Sequence, residues 1–246
     1  MGMFDDFEKK LQDSVEANES EESKASAQAA EREIRWKQKR VGIMTSSGIN
    51  INKLMNLTTG GKIKTKAGID YLLEIQHQKD TGCDSEEVYA KAFLWGNAFE
   101  EEALFYYNKI TGNNVISGTH GFDEILFVDN IIEGFGDSPD GVTADRKAVV
   151  EIKCPYNGAN HLRNCALQSY HDGCDYFWQC IGHMIDPKVE WCDFVSYDPR
   201  YEDGHPDKIK IIRINRSDVQ SRIDILTEKI KFWIECINKR SILEEA

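Results

Sequence analysis

The sequence predicts an α/β or α+β domain with a central mixed sheet flanked by helices. Three observations carry this expectation. All five prolines, at 139, 155, 187, 199 and 206, fall in the second half, so the first 138 residues lack the strongest helix breaker and read as mostly helical. From residue 113 the texture changes to short β-branched and aromatic runs bounded by Gly, Asp, Asn and Pro, which is how strands read. A long amphipathic stretch at 217–239 then supplies a covering helix. At 246 residues and 41% hydrophobic the chain can bury a sizeable core, which excludes wholesale disorder and fibrous architectures.

Taken in order, residues 5–40 are rich in Glu, Lys, Ala and Gln, with Phe4, Phe7, Leu11 and Val15 at helical spacing. Residues 1–35 are expected to form an acidic helical arm ahead of a domain spanning 36–246. A solvated helix and a partner-binding segment both fit the composition of that arm. After a loop at Thr58-Thr59-Gly60-Gly61, helices are expected over 66–79 and 85–110, the second stopping at Thr111-Gly112, where glycine can take the C-terminal cap. Strands are expected at Val115-Ile116, Ile125-Leu126-Phe127-Val128, Gly134-Phe135-Gly136 and Ala148 to Cys154, then at 189–197 and 208–214. Further helices are expected at 174–185 and 217–239.

Charge and cysteine usage narrow the function classes. The formal net charge is −12, of which −5 sits in residues 1–35 (ten acids against five Lys or Arg). Such a balance excludes a generic nucleic-acid coat, so any DNA site must be a confined basic patch. Seven cysteines without a Cys-x-x-Cys pair point to reduced thiols, and the close ligand pairs of an iron–sulfur or zinc site are missing. No apolar run approaches the roughly 20 residues that span a bilayer, and Met1 to Ser14 is too charged for a secretory signal. The expectation is a cytoplasmic protein with no membrane association.

The residues able to do chemistry gather in Gly136-Asp137-Ser138-Pro139-Asp140-Gly141 and Glu151-Ile152-Lys153. Alternate strand residues share a face, so Glu151 and Lys153 project together while Val150 and Ile152 point into the opposite layer. Asp140 sits in a turn, and a hairpin between about 135 and 153 can bring it beside Glu151. Two carboxylates with the Ile152 carbonyl form a hard-oxygen set suited to Mg²⁺, with positions left open for water and phosphate. Phosphodiester hydrolysis then follows: the metal polarises the phosphoryl oxygen, and Lys153 orients the nucleophile and offsets developing charge. The same residues taken singly also fit a solvated, salt-bridged strand face and a plain type I turn. Order and context favour the chemistry, because the acidic turn precedes a strand of otherwise apolar residues that stops at Cys154-Pro155.

Ser138-Pro139-Asp140-Gly141 with Glu151-Ile152-Lys153-Cys154-Pro155 resembles the active-site signature of the phage lambda exonuclease family, the YqaJ-type viral recombinases, within the PD-(D/E)xK nucleases. Four further blocks extend the resemblance over about 36–200. Arg40-Val41-Gly42-Ile43-Met44-Thr45-Ser46-Ser47 resembles the family's Arg-x-Gly-x-x-Thr-x-Ser segment. Ala92-Phe93-Leu94-Trp95-Gly96-Asn97-Ala98-Phe99-Glu100 resembles its Trp-Gly-x-x-aromatic-Glu helix. Tyr176-Phe177-Trp178-Gln179 resembles its Tyr-x-x-Gln helix, and Tyr197-Asp198-Pro199-Arg200 its Tyr-Asp-Pro-Arg strand end.

The resemblance implies a restriction-endonuclease-like fold in three layers. It implies Mg²⁺ held by Asp140, Glu151 and the Ile152 carbonyl, two metal ions in all with Mn²⁺ as an alternative, and Lys153 at the attacking water. Glu100 is implied as a further active-site carboxylate acting through water on the metal, with Tyr176 and Gln179 lining the site. Arg40, Ser47 and Ser138 are implied as the pocket for the 5′-phosphate, a role suited to a guanidinium fork and hydroxyls. Phe93 stands where the family places an apolar wedge that separates the terminal base pair. One departure is visible: a further phosphate-binding Arg of the family meets Ala159 here, with His161 and Arg163 as the nearby candidates to replace it.

The implied activity is digestion of linear double-stranded DNA from 5′ to 3′, releasing mononucleotides and leaving 3′ single-stranded overhangs. The implied partners are double-stranded DNA ends, a homotrimeric ring of copies, and a single-strand annealing protein of a phage or prophage recombination system. A different PD-(D/E)xK endonuclease and a catalytically inactive DNA-binding module are the competing readings.

Overall fold

The structure, a computed structural model, describes residues 31, 35, 37–49, 65–83, 91–117 and 131–244, without the side chains of 91–94. The chain divides into two compact units, Met1–Lys39 and Arg40–Ala246. In the first, the described residues are helical. The strand expected at 125–128, the loop at 58–61 and most of the acidic arm lie outside the described residues.

In the second unit, β1 (Met44–Thr45) runs into a single 3₁₀ turn, Ser46–Gly48. Helix α1 (Lys66–Thr81) starts where the Thr65 hydroxyl accepts from the Gly68 N–H at 3.1 Å and stops at Gly82, whose φ of 68° suits glycine. Helix α2 (Lys91–Thr111) ends as expected at Gly112, whose N–H donates back to the Asn108 carbonyl. The strands β2 (Ile116–Ser117), β3 (Phe135–Gly136), β4 (Gly141–Val142) and β5 (Ala148–Lys153) follow. Helices α3 (Gly158–Ala166) and α4 (Phe177–His183), strands β6 (Trp191–Tyr197) and β7 (Ile209–Asn215), and helix α5 (Arg216–Lys239) complete the unit.

Five strands form one mixed sheet in the order β2-β4-β5-β6-β7, in which β5 and β6 are parallel and the other pairs antiparallel. The parity of β5 divides the core as its sequence predicts. Val150, Ile152 and Cys154 pack with Ala103, Leu104 and Tyr107 of α2. On the other face Val149 joins Phe194, Leu72 of α1, Ile181 of α4, and Leu226, Ile230 and Trp233 of α5. The sheet is therefore the middle of three layers. Among the described residues, no helix is long and apolar enough to cross a membrane.

Three differences from the sequence expectation have local causes. Phe135–Gly136 does not join the hairpin that carries Asp140; it pairs in parallel with Met44–Thr45 in a separate two-stranded sheet. The helix expected over 174–185 is shorter, because turns such as Cys174 N–H to His171 carbonyl occupy its first residues. Helix α3, absent from the sequence expectation, forms because Asn157 caps it by accepting from the Ala159 N–H at 3.0 Å.

Candidate active site

The hairpin β4–β5 builds the centre of the site. Gly141 pairs with Val150 and Val142 with Val149, so the turn residue Asp140 falls beside the end of β5. There its Oδ2 accepts from the Ile152 N–H at 2.6 Å. Gly141 lets this strand pair lie flat, since a Cβ there would stand 2.5 Å from Val115. The acidic turn and Glu151-Ile152-Lys153 thus meet through main-chain geometry.

Glu151 is fully buried, and each oxygen has its own neighbour. Oε2 accepts from His183 Nε2 at 2.8 Å, while Oε1 is ion-paired with the Lys153 ammonium but accepts no well-aligned hydrogen bond. The other His183 nitrogen, Nδ1, lies 2.6 Å from Asp137 Oδ1. Two carboxylate acceptors require a proton on each ring nitrogen, so His183 is an imidazolium held between Asp137 and Glu151. Burial alone would depress its pKa, but the two carboxylates outweigh that and raise it well above the ordinary histidine value.

The remaining charges follow the same logic. Burial would lift Glu151, yet Lys153 and His183 hold it below its ordinary value. Burial would lower Lys153, but Glu151 and Asp140 keep it above the usual lysine range, so it stays an ammonium. Its Nζ lies 4.9 Å from the centre of the Tyr176 ring, a cation–π contact from the residue that precedes α4. Asp140 is pushed well up, first by burial and then by Glu151 and Glu100. Glu100, on α2, is raised to about 7 by burial and by the Glu151 charge, with Lys153 opposing. The structure therefore couples Glu100, Asp140, Glu151, Lys153 and Tyr176 in one electrostatic cluster. Gln179 is buried on α4, between Tyr176 and His183 in sequence.

Asp140, Glu151 and the Ile152 carbonyl are the donor set able to hold a divalent cation. Among the described residues, no three His, Cys, Asp or Glu side chains gather closely enough to bind a metal unaided. The set suits a cation that keeps several waters: Glu151 Oε1 is met by the Lys153 ammonium without a well-aligned hydrogen bond, and burial with neighbouring carboxylates disfavours charge on Asp140 and Glu100.

Of the residues expected to hold a 5′-phosphate, Arg40 and Ser47 meet at the start of the unit. Arg40 Nη2 donates to the Ser47 hydroxyl at 2.6 Å and to the Thr45 hydroxyl at 3.2 Å. Thr45 pairs with Gly136 in the parallel register, so Ser47 and Ser138 each lie two residues past the same end of the β1–β3 pair. Tyr71 supports this loop from α1, its hydroxyl accepting from the Thr45 N–H at 3.3 Å, in the space that Gly48 leaves open. His161 is not available as a replacement for the missing arginine: it is fully buried, with its ring nitrogens on Ser196 and the Asp207 carbonyl. Arg163 is exposed and donates to Asn160. The side chain of Phe93 lies outside the described residues.

Sequence reasoning quoted Asp137 and Thr45 without giving either a role, and missed His183 and Tyr71. For His183 a signal existed: it follows Gln179 by four residues, one helical turn on the same face. Asp137 directly precedes the Ser138 turn and was readable as part of it. Nothing in the sequence marks Tyr71.

Comparison with known proteins bears on the fold and the family. No curated protein matches the sequence. The alkaline exonuclease LHK-Exo from Laribacter hongkongensis superposes with a TM-score of 0.67 at 27% identity, covering 86% of this chain and 99% of that one. The same exonuclease in complex with dAMP gives a TM-score of 0.68 at 27% identity, covering 84% and 93%. A phage-related exonuclease from Haemophilus somnus 129PT shares the fold, with a TM-score of 0.55, 16% identity, and coverage of 81% and 96%. The family model of the YqaJ-like viral recombinase domain matches residues 35–186, which span Arg40, Glu100, the acidic hairpin and His183. On that match the chain belongs to the YqaJ-like viral recombinase domain family.

Proposed function

We propose that the protein is a Mg²⁺-dependent nuclease that digests one strand of linear double-stranded DNA from 5′ to 3′, releasing mononucleotides and leaving 3′ single-stranded overhangs. The observation that carries this reading is the convergence of Asp140, Glu151 and Lys153 at the β4–β5 hairpin, fixed by the Asp140 to Ile152 hydrogen bond of 2.6 Å. The exonuclease likeness and the LHK-Exo complex with dAMP, a deoxynucleoside monophosphate, support the same substrate and product class.

Asp140, Glu151 and the Ile152 carbonyl would hold a divalent cation, which would supply Lewis acidity and lower the pKa of water there. The Glu151 and Asp140 carboxylates favour the charged form of Lys153, which suits an electrostatic role: positioning the nucleophile and balancing charge gained in the transition state. Glu100, raised to about 7 by burial and the Glu151 charge against the pull of Lys153, is read as a further active-site carboxylate acting through water. The Arg40–Ser47 pair, with Ser138, is read as the receptor for a terminal 5′-phosphate. The further proposals are a homotrimeric ring around DNA, a single-strand annealing partner, and action in the cytoplasm of a bacterial host.

The test compares linear duplexes bearing 5′-phosphate or 5′-hydroxyl ends with covalently closed circular duplex, each with Mg²⁺ and with EDTA. The expected result is metal-dependent loss of the linear molecules alone, faster with 5′-phosphate, yielding mononucleotides. Nicking of the circle moves the assignment to an endonuclease, and no cleavage of any substrate makes the chain a binding module.

A further inference from the structure

Glu151 is also one end of a buried polar row, Asp137–His183–Glu151, whose other two members have no assigned role. All three side chains are buried: His183 is 1% exposed, Glu151 0% and Asp137 6%. Each ring nitrogen is taken by one carboxylate, at 2.6 Å and 2.8 Å. A core that needed only volume at this point would hold an apolar residue, because bringing three ionisable groups out of water is costly unless each is paired. The row joins three separate elements. Asp137 leaves β3 and opens the turn that carries Ser138 and Asp140, Glu151 lies on β5, and His183 closes α4.

We infer that His183, oriented by Asp137, is a positioning residue that sets the Glu151 carboxylate for cation binding and holds the Ser138–Asp140 turn in register with β5. The inference rests on the nuclease reading of the site. The geometry gives the reason. A glutamate side chain can rotate so that either oxygen faces the site. The His183 N–H captures Oε2 and leaves Oε1 on the side of Lys153 as the oxygen without a hydrogen bond. The opposite N–H is fixed on a residue only three positions before Asp140. One rigid ring therefore references both carboxylate ligands to each other, as ligand-supporting groups do in metal sites generally. His183 and Asp137 touch neither substrate nor reacting atoms, and they act through Glu151 and the turn.

The test measures Mn²⁺ binding to the full chain without DNA, by titration calorimetry, at one fixed pH. Thermal melting in EDTA and cleavage of linear duplex at increasing Mg²⁺ accompany it. Asp137→Asn, His183→Gln and His183→Ala are each expected to weaken Mn²⁺ binding by about 10–100-fold, with cleavage recovering in part at high Mg²⁺. His183→Gln can still donate to Glu151 but turns an amide oxygen toward Asp137. Combining it with Asp137→Asn supplies a donor to that oxygen, so the double variant is expected to bind Mn²⁺ more tightly than His183→Gln alone. A role in packing alone predicts changes in melting without this recovery of metal affinity. Folded variants that bind Mn²⁺ as tightly as the natural chain, while the natural chain cleaves DNA, overturn the positioning role and leave the nuclease reading standing. A natural chain that binds no Mn²⁺ and cleaves nothing overturns both.

Discussion

Gly182 and Ser46 are in contact so close that a Cβ on Gly182 would stand 2.6 Å from the Ser46 hydroxyl oxygen. Helix α4, which carries Gln179 and His183, is thereby packed directly against the loop in which Arg40 binds Thr45 and Ser47. The proposed cation donors and the proposed phosphate pocket both border α4, through His183 on Glu151 and Gly182 on Ser46. Gly182→Ala is expected to force the two apart, at a cost of about 1–3 kcal/mol, because Ser46 is short and buried and cannot swing away. Thermal melting reads the loss, and an unchanged melting temperature would mean that the helix and the loop do not touch.

Lys153 is the only described cation on Glu151 Oε1, so Lys153→Ala removes a partner of a buried carboxylate and, on the proposed reading, the positive charge at the reacting phosphate. Cleavage is expected to fall by about 10²–10³-fold or more, the scale of losing one preorganised electrostatic group. Glu151 retains His183, so the chain is expected to fold, with DNA binding near that of the natural protein. Single-turnover cleavage together with a binding assay separates the two effects. Retained turnover would remove Lys153 from the mechanism.

Arg40 reaches two hydroxyls from one nitrogen, which preorganises a small polar cluster at the end of β1. A terminal phosphate carries more charge than an internal phosphodiester, and a guanidinium with hydroxyls beside it distinguishes the two. Arg40→Ala is expected to slow digestion of 5′-phosphorylated duplex by about tenfold or more, the loss of one charge-assisted hydrogen bond, and to affect 5′-hydroxyl duplex less. Equal slowing on both ends would make Arg40 a general backbone contact.

What the sequence disclosed and what it withheld divide along the range of the interactions. Period-two alternation placed Glu151 and Lys153 on one face and Val150 and Ile152 on the other, and the opposed cores on the two sides of β5 bear that out. Capping chemistry placed the end of α2, because Gly112 acts on its own neighbours; α1, expected to end at 79, runs on to Thr81 and stops at Gly82. The pairing of Phe135–Gly136 with Met44–Thr45 was not legible, since a two-residue strand has no pattern and its partner lies 91 positions away in the register Met44 to Phe135. Helix α3 was overlooked because a nine-residue helix after a proline leaves a weak signal. His183 was overlooked because its function depends on Asp137 and Glu151, whose approach only the tertiary fold creates.

Glu100 and Asp140 both sit above the ordinary carboxylate range, since burial and neighbouring carboxylates disfavour their charged forms, and Glu100 titrates near 7. The site without a cation therefore takes up protons as the pH falls through about 7, and a cation has to displace them. Mn²⁺ affinity is expected to be highest on the alkaline side and to weaken below neutrality by up to about tenfold per pH unit for each proton displaced. Glu100→Gln removes one titrating group and is expected to flatten the change around pH 7. Acid unfolding belongs to a lower window. Glu151 has a folded pKa below its unfolded one, so the stability it contributes is present above about pH 4.3 and is lost only as the pH falls through the folded value. Titrations at about pH 6, 7 and 8, with melting curves at each, separate the two processes. Mn²⁺ affinity that does not change across that range would show that Glu100 and Asp140 are already ionised, and would end their coupling to the cation.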